Sequence, residues 1–233
     1  MVCGQMIEMK EGFALNRLKL LTMSDIPTEE VQWLWYPYLP RGKITIIQGD
    51  PGEGKTTFVL ALAALLTCGL PMPGGAESLP PMNIIYQTAE DGLADTVKPR
   101  LTALGADCSR VLVIDESERE LTLSDHRIAQ AIQETDAGLL VLDPIQAYLG
   151  DGVDMHRANE VRPIFKRLGQ LAEQTGCAIV LVGHMNKMQG VKSAYRGLGS
   201  IDFRAAARSV LLVGRSKDDS ETRVAVHDKS SLA

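Results

Sequence analysis

Aromatic residues make up only 5% of the chain, and no apolar run is long enough to cross a bilayer. The most apolar stretch, Phe58 to Leu66, is far shorter than a membrane span, and no secretory signal is legible at the N-terminus. Cytoplasmic residence without a membrane partner is therefore the expectation. Cysteine is scarce and scattered: Cys3, Cys68, Cys108 and Cys177 form no C-x-x-C pair and no metal-like spacing with the histidines. That argues against a disulfide framework or a zinc site and for reduced thiols acting as small apolar fillers. An excess of positive charge is missing too. The formal net charge is −5, so the chain lacks the globally basic signature of a dedicated nucleic-acid binder, and any such site must be a local patch. No internal repeat or low-complexity tract is present.

With 233 residues, 45% of them hydrophobic, the chain can build one domain with a sizeable core. Its most informative stretch is Gly49-Asp50-Pro51-Gly52-Glu53-Gly54-Lys55-Thr56-Thr57, which fits the pattern G-x-x-x-x-G-K-[ST]. A short β-branched run, Ile44 to Gln48, precedes it, and an apolar helical run, Thr57 to Leu66, follows. Strand, glycine loop and helix are what phosphate binding requires. Glycines let backbone N–H groups curl around phosphate oxygens, the helix N-terminus adds positive potential, and Lys55 reaches the β- and γ-phosphates. Thr56 is expected to hold magnesium. A plain glycine turn with a surface lysine would account for neither flank. The stretch implies a nucleotide-binding protein.

Read in order, residues 1 to 22 show weak helical periodicity, and Met23-Ser24-Asp25-Ile26-Pro27 looks like a second plausible start. Residues 1–38 are taken as an N-terminal arm of uncertain role and 39–233 as the catalytic domain. Four of the eleven aromatics gather in Trp33-Leu34-Trp35-Tyr36-Pro37-Tyr38. They could stack on adenine, or cap the sheet edge or fill a subunit interface, and burial is the expected role. Pro71 to Pro81 reads as a loop. Beyond it, apolar strand-like runs (Asn83–Gln87, Val111–Ile114, Leu139–Leu142, Ala178–Val182) alternate with helical ones (Leu93–Leu104, Ser124–Glu134, Asn159–Gln174). Strands without polar alternation, separated by helices, predict an α/β fold with a mainly parallel sheet covered on both faces. Ser209–Val213 and Arg223–Val226 leave no room for a helix between them, so the sheet should end in an antiparallel extension.

Ligands of such sheets sit at the carboxyl ends of the strands. There the sequence places Thr88-Ala89-Glu90-Asp91, Asp143 and His184-Met185-Asn186-Lys187. Asp143 follows four apolar residues, a pattern that puts a carboxylate on the magnesium shell, acting through bound water because magnesium gives up its water reluctantly. The competing role is an N-cap before Pro144. Glu90 is the candidate for orienting and polarising the attacking water, with its neighbour Asp91 as the N-cap. Both acids would also suit a helix start for dipole reasons alone. His184 would face the γ-phosphate and sense its presence, or stand there as an ordinary polar strand end. Between Met185 and Lys217 lies the basic patch that the composition hides. Lys187, Lys192, Arg196, Arg204, Arg208, Arg215 and Lys217 stand against Asp202 alone, a local charge of +6. Lys187 and, in the glycine-bearing middle from Gln189 to Ser200, Lys192, Tyr195 and Arg196 make a mixture suited to single-strand backbone contacts and base stacking. A solvated loop at a subunit interface is the alternative, and the two are compatible.

From about Leu39 onward the chain resembles the RecA-like hexameric P-loop ATPases, most closely the branch of plasmid and phage RepA-type replicative helicases, with the DnaB helicases more distant. The matching features are the phosphate loop, Thr88-Ala89-Glu90-Asp91 with Asp95 and Pro99-Arg100-Leu101, and Asp143-x-x-Gln146. To these add His184-x-Asn186-Lys187, Arg196-Gly197 with Ser200, and Asp228-Lys229-Ser230. The resemblance implies a RecA-like core, a homo-oligomeric ring that is a hexamer, ATP with Mg2+ at subunit interfaces, and hydrolysis coupled to movement on single-stranded DNA. It implies Lys55 and Thr56 on phosphate and magnesium, Glu90 as general base, Asp143 as the magnesium carboxylate and His184 as γ-phosphate sensor. Arg208 matches an arginine finger reaching a neighbour's ATP, with Arg204 or Arg215 as alternatives and Lys229 as a second residue acting in trans. No primase-binding or separate DNA-binding domain is recognisable, which suits an ATPase module of a longer protein. A RecA/RadA-like recombination or repair ATPase and a KaiC-like regulatory switch with a protein partner are the alternatives.

Overall fold

The computed structural model describes residues 19–155, 157–185, 201–219 and 221–232. The chain divides into two units, Met1–Glu30 and Val31–Ala233. In the described part of the first, a single 3-10 turn spans Met23–Asp25, closed by the Asp25 amide donating to the Thr22 carbonyl at 3.0 Å.

The second unit begins with two short antiparallel strands, β1 (Trp33–Trp35) and β2 (Leu39–Pro40). Then follow β3 (Ile44–Gly49), α1 (Lys55–Cys68) and β4 (Asn83–Thr88). A turn of π-helix, Leu93–Val97, leads into α2 (Lys98–Ala103), followed by β5 (Val111–Leu112), α3 (His126–Thr135) and β6 (Ala137–Asp143). The chain continues through α4 (Ala158–Thr175), β7 (Ala178–His184), α5 (Ile201–Ala206), β8 (Ser209–Arg215) and β9 (Arg223–Ser230). Seven strands form one sheet in the order β5-β4-β6-β7-β3-β8-β9. Every pairing is parallel except β8 with β9, which is antiparallel. The mainly parallel sheet with an antiparallel end is the architecture expected from the alternating apolar runs.

The two central strands, β6 and β7, are apolar up to their last residue because both faces are covered. Along β6, Leu139 and Val141 pack with Leu60 and Leu66 of α1 and Leu101 of α2. The intervening Leu140 and Leu142 pack with Ile128 of α3 and Val161, Phe165 and Leu168 of α4. The two-residue period of a strand thus serves two cores at once. Burying each such leucine contributes roughly 1.5–3 kcal/mol, which is why the strands tolerate no polar alternation.

Four local features differ from the sequence expectation. The strand expected over 111–114 stops at Leu112, because the Ile114 amide donates to Gln87 Oε1 at 2.6 Å and its carbonyl accepts from Gln87 Nε2 at 3.2 Å. A side chain has replaced the next rung of the ladder. The helix expected from Leu93 opens with the π turn and becomes α-helical just before Pro99, which has no N–H to give. Residues 201–206, read only as part of the basic patch, form α5, and β9 runs on to Ser230. The rings of Trp35 and Tyr38 lie 4.4 Å apart and pack against Phe58 of α1 and His227 of β9, which gives these two the burial role. Among the described residues no helix is long and apolar enough to cross a membrane.

Candidate nucleotide site

Parallel pairing brings the polar strand ends into one row. Thr88 is level with Asp143 across β4 and β6, and Gly49 is level with His184 across β3 and β7. The loop after β3 leads directly into α1, whose first-turn amides have no intrahelical acceptor. No side chain caps that helix; Gly54 stands at its N-cap with φ of 91°, a left-handed conformation that glycine adopts without strain. At the other end of the loop, a Cβ on Gly49 would lie 2.1 Å from the carbonyl oxygen of Val213 on β8, so only glycine lets the loop leave the sheet there.

Lys55 is buried and folds back along the loop, donating from Nζ to the carbonyls of Gly49 at 3.0 Å and Asp50 at 2.9 Å. Burial pushes its ammonium below the ordinary lysine range, opposed by the negative charge of Asp143 and Asp50. Thr56, one residue on, donates to Oδ2 of Asp143 at 2.8 Å. The Asp143 carboxylate therefore points into the loop. It does not cap the 3-10 turn after it, whose N-cap position is taken by Pro144. Its burial pushes the carboxyl up, and the hydrogen bonds from Thr56 and Tyr86 act against that shift. Tyr86 donates to the same Oδ2 at 3.0 Å, and burial beside that carboxylate raises the phenol far above its ordinary value, so it stays protonated.

Glu90 is exposed, and its Oε1 lies 3.6 Å from Nε2 of His184. The other ring nitrogen of His184, Nδ1, is enclosed without a hydrogen-bond partner among the described residues. Asp91 does not cap the following helix. Its carboxylate pairs with Arg100 at 2.9 Å, its amide donates to Thr88 Oγ1, and Gly92 takes the cap position.

Hydroxyl, carboxylate, ammonium and glycine loop together suit a nucleoside triphosphate with magnesium. The protein donors Thr56 and Asp143 are oxygens 2.8 Å apart, and magnesium takes few protein ligands besides phosphate and water oxygens. Accordingly, the site needs no dense ligand cluster. Among the described residues no group of three His, Cys, Asp or Glu side chains is placed to hold a metal.

The remaining candidates stand elsewhere. Arg208 immediately precedes β8, its amide donating to the Ile44 carbonyl at the start of β3. It lines a groove of about 370 Å³ with Lys43, Arg162 and Lys166. From Ile44 to Gly49 the strand advances at about 3.3 Å per residue, so roughly 17 Å separates Arg208 from its own phosphate loop. Lys229 is at the same end, donating to the carbonyls of Arg204 at 2.8 Å and Ala207 at 2.7 Å, where it caps the end of α5. Burial and the nearby Arg204 and Arg208 push its ammonium down. Arg204 pairs with Asp228. Arg215, in contrast, sits on the phosphate loop of its own chain, with Nε 3.6 Å from Glu53 Oε1 and Nη2 donating to the Gly52 carbonyl at 3.4 Å. Lys187, Lys192, Tyr195 and Arg196 lie outside the described residues.

A phosphate loop on an interior strand of a mainly parallel sheet, with an acid at the end of the next strand but one facing its threonine, defines a P-loop nucleoside triphosphatase domain. The chain belongs to the AAA domain family, which it matches over residues 15–190. It is 30% identical over 152 residues to the DNA repair protein RadA of Halalkalibacterium halodurans, covering 64% of this chain and 29% of that protein. Against RadA of Bacillus subtilis it is 29% identical over 149 residues, covering 63% of this chain and 29% of the relative. Protein RecA of Tropheryma whipplei shares 28% over 164 residues, covering 66% and 33% respectively. The match thus spans a third or less of each of these relatives. The fold resembles that of a KaiC-like protein from Pyrococcus horikoshii OT3, with a TM-score of 0.55 and 17% identity, covering 83% of this chain and 81% of that one. The chain is a RecA-like P-loop ATPase domain, and these relatives do not confirm the narrower RepA-type helicase branch.

Proposed function

We propose that this domain hydrolyses ATP as the motor of a RadA/RecA-like recombination or repair ATPase acting on single-stranded DNA. The observation that carries the reading is the row of strand ends, Glu90, Asp143 and His184, lined up beside Lys55 and Thr56. The similarity to RadA supplies the biological class.

In this reading the amides of Gly52 to Thr57 cradle the phosphates, and Lys55 leaves the Gly49 and Asp50 carbonyls to contact the β- and γ-phosphates. Those carbonyls hold the lysine at the mouth of the cradle until a better anion arrives. Thr56 and, through water, Asp143 would hold magnesium, which would supply charge neutralisation on the phosphates. Glu90 accepts a proton from water as the water oxygen bonds to the γ-phosphorus. The bond from that phosphorus to the bridging oxygen breaks, and ADP leaves with the electron pair. His184 reports γ-phosphate occupancy through its contact with Glu90.

Arg208 is too far along the sheet to serve its own loop, which favours a site shared between neighbouring copies, in a ring whose hexameric form comes from the resemblance. Lys229 would join it only by giving up its contacts with the end of α5. The segment with Lys187, Lys192, Tyr195 and Arg196 is assigned to single-stranded DNA. A replicative helicase is the second reading, favoured by Asp143-x-x-Gln146 and Asp228-Lys229-Ser230. Strand exchange and unwinding, assayed side by side with ATP, separate the two. Exchange without unwinding is the expected result; unwinding without exchange would move the chain to the helicase reading.

A further inference from the structure

Tyr86 is not one of the polar strand ends, yet its hydroxyl reaches the centre of the site. On β4 it is level with Val141 of β6, two residues before Asp143. Residues two apart on a strand share a face, so Val141 and Asp143 both point toward α1, and Thr56 stands in the first turn of that helix. The phenol ring of Tyr86 lies in the same α1-side core and is fully buried there. A tyrosine side chain is long enough to run one step along the strand, and its hydroxyl meets Oδ2 of Asp143 at 3.0 Å. Thr56 donates to that same oxygen at 2.8 Å. Two hydroxyls from two different elements therefore claim one oxygen of the carboxylate, and neither claims Oδ1.

We propose that Tyr86 is a positioning residue for magnesium: with Thr56 it fixes Asp143 so that Oδ1 is presented to a water of the metal shell. The proposal rests on the reading of Asp143 as the magnesium carboxylate. Its physical basis is general. A metal-side carboxylate needs outer hydrogen bonds to hold its orientation, and loss of such a partner typically lowers metal affinity about 10–100-fold. Here the carboxylate is almost enclosed, so water cannot readily replace the missing donor. Without Tyr86, Oδ2 keeps only Thr56, and the carboxylate can rotate about its terminal bond. The competing explanation is that a core phenol has merely found the nearest acceptor.

Tyr86→Phe removes one oxygen and leaves the packed ring. The decisive measurement is binding of a fluorescent ATP analogue by the purified protein, first in EDTA and then across a magnesium titration, beside Asp143→Asn. The proposal expects unchanged affinity in EDTA and a magnesium midpoint raised about tenfold or more in Tyr86→Phe. Asp143→Asn should shift the midpoint at least as far, and the melting temperature of Tyr86→Phe without nucleotide should stay close to wild type. A Tyr86→Phe titration that overlays wild type while Asp143→Asn is shifted overturns the proposal and leaves the Asp143 reading standing. Equal weakening with and without magnesium overturns it in favour of a packing role. If Asp143→Asn itself overlays wild type, the Asp143 reading falls and takes the proposal with it.

Discussion

At the scale of single residues, the proposed chemistry divides between groups that hold phosphate and one group that moves a proton. Glu90 is assigned the second task because it is exposed and its carboxylate stands beside His184 at the row of strand ends. Glu90→Gln keeps the shape and removes the basicity, so it should retain ATP binding and lose turnover by about 100-fold or more in a steady-state phosphate-release assay. Retained turnover would move the base elsewhere. Asp91 is a poor substitute, since Arg100 already holds its carboxylate. The positions of the phosphate loop, Asp143 and Glu90 at strand ends were legible from sequence because each sits in a short local pattern next to a strand. Tyr86 was not, because its partner is 57 positions away and only the β4–β6 register brings them together. Arg215 was read as an alternative to Arg208 for the finger, and the β3–β8 pairing places it instead against Glu53 of its own phosphate loop.

At the scale of elements, the loop depends on how closely β3 and β8 pass. Gly49→Ala puts a methyl group where the Val213 carbonyl lies, and relief requires the loop or β8 to move. The expected cost is about 1–3 kcal/mol in unfolding free energy, with weaker nucleotide binding, both measurable by thermal melts with and without ATP. A second test concerns α3, which is tied to the loop before it through Asp125. That carboxylate accepts from the Arg127 amide and guanidinium and from Arg119, and these bonds hold it well below the ordinary carboxylate range. A depressed folded value stabilises the fold above the unfolded value of about 4 and is lost as pH falls below it. Asp125→Asn should therefore cost about 1–2 kcal/mol at neutral pH, and the gap to wild type should narrow in melts run below about pH 4. The alternation of strands and helices was readable from the apolar runs, since a sheet covered on both faces leaves a continuous signal. The early stop of β5 and the helix α5 were not. The first depends on Gln87 meeting Ile114 across the sheet, and the second is a short helix within a basic stretch whose charges masked it.

At the scale of the whole molecule, the two ends of the sheet carry different groups of the candidate residues. Lys55, Thr56, Glu90, Asp143 and His184 gather at the carboxyl ends of the strands, while Arg208, Arg204 and Lys229 gather at the opposite end of β8 and β9. If the second cluster completes a neighbour's site, Arg208→Ala should abolish turnover alone and regain part of it when mixed with Glu90→Gln, because some junctions then hold both intact residues. A mixture as inactive as its components would assign the finger to another residue. The most direct measurement on the central claim is steady-state ATP hydrolysis by the purified protein with magnesium, over a range of salt, with and without single-stranded DNA. Hydrolysis that DNA stimulates and that Lys55→Ala abolishes is the predicted result. No hydrolysis under any of these conditions would contradict the account.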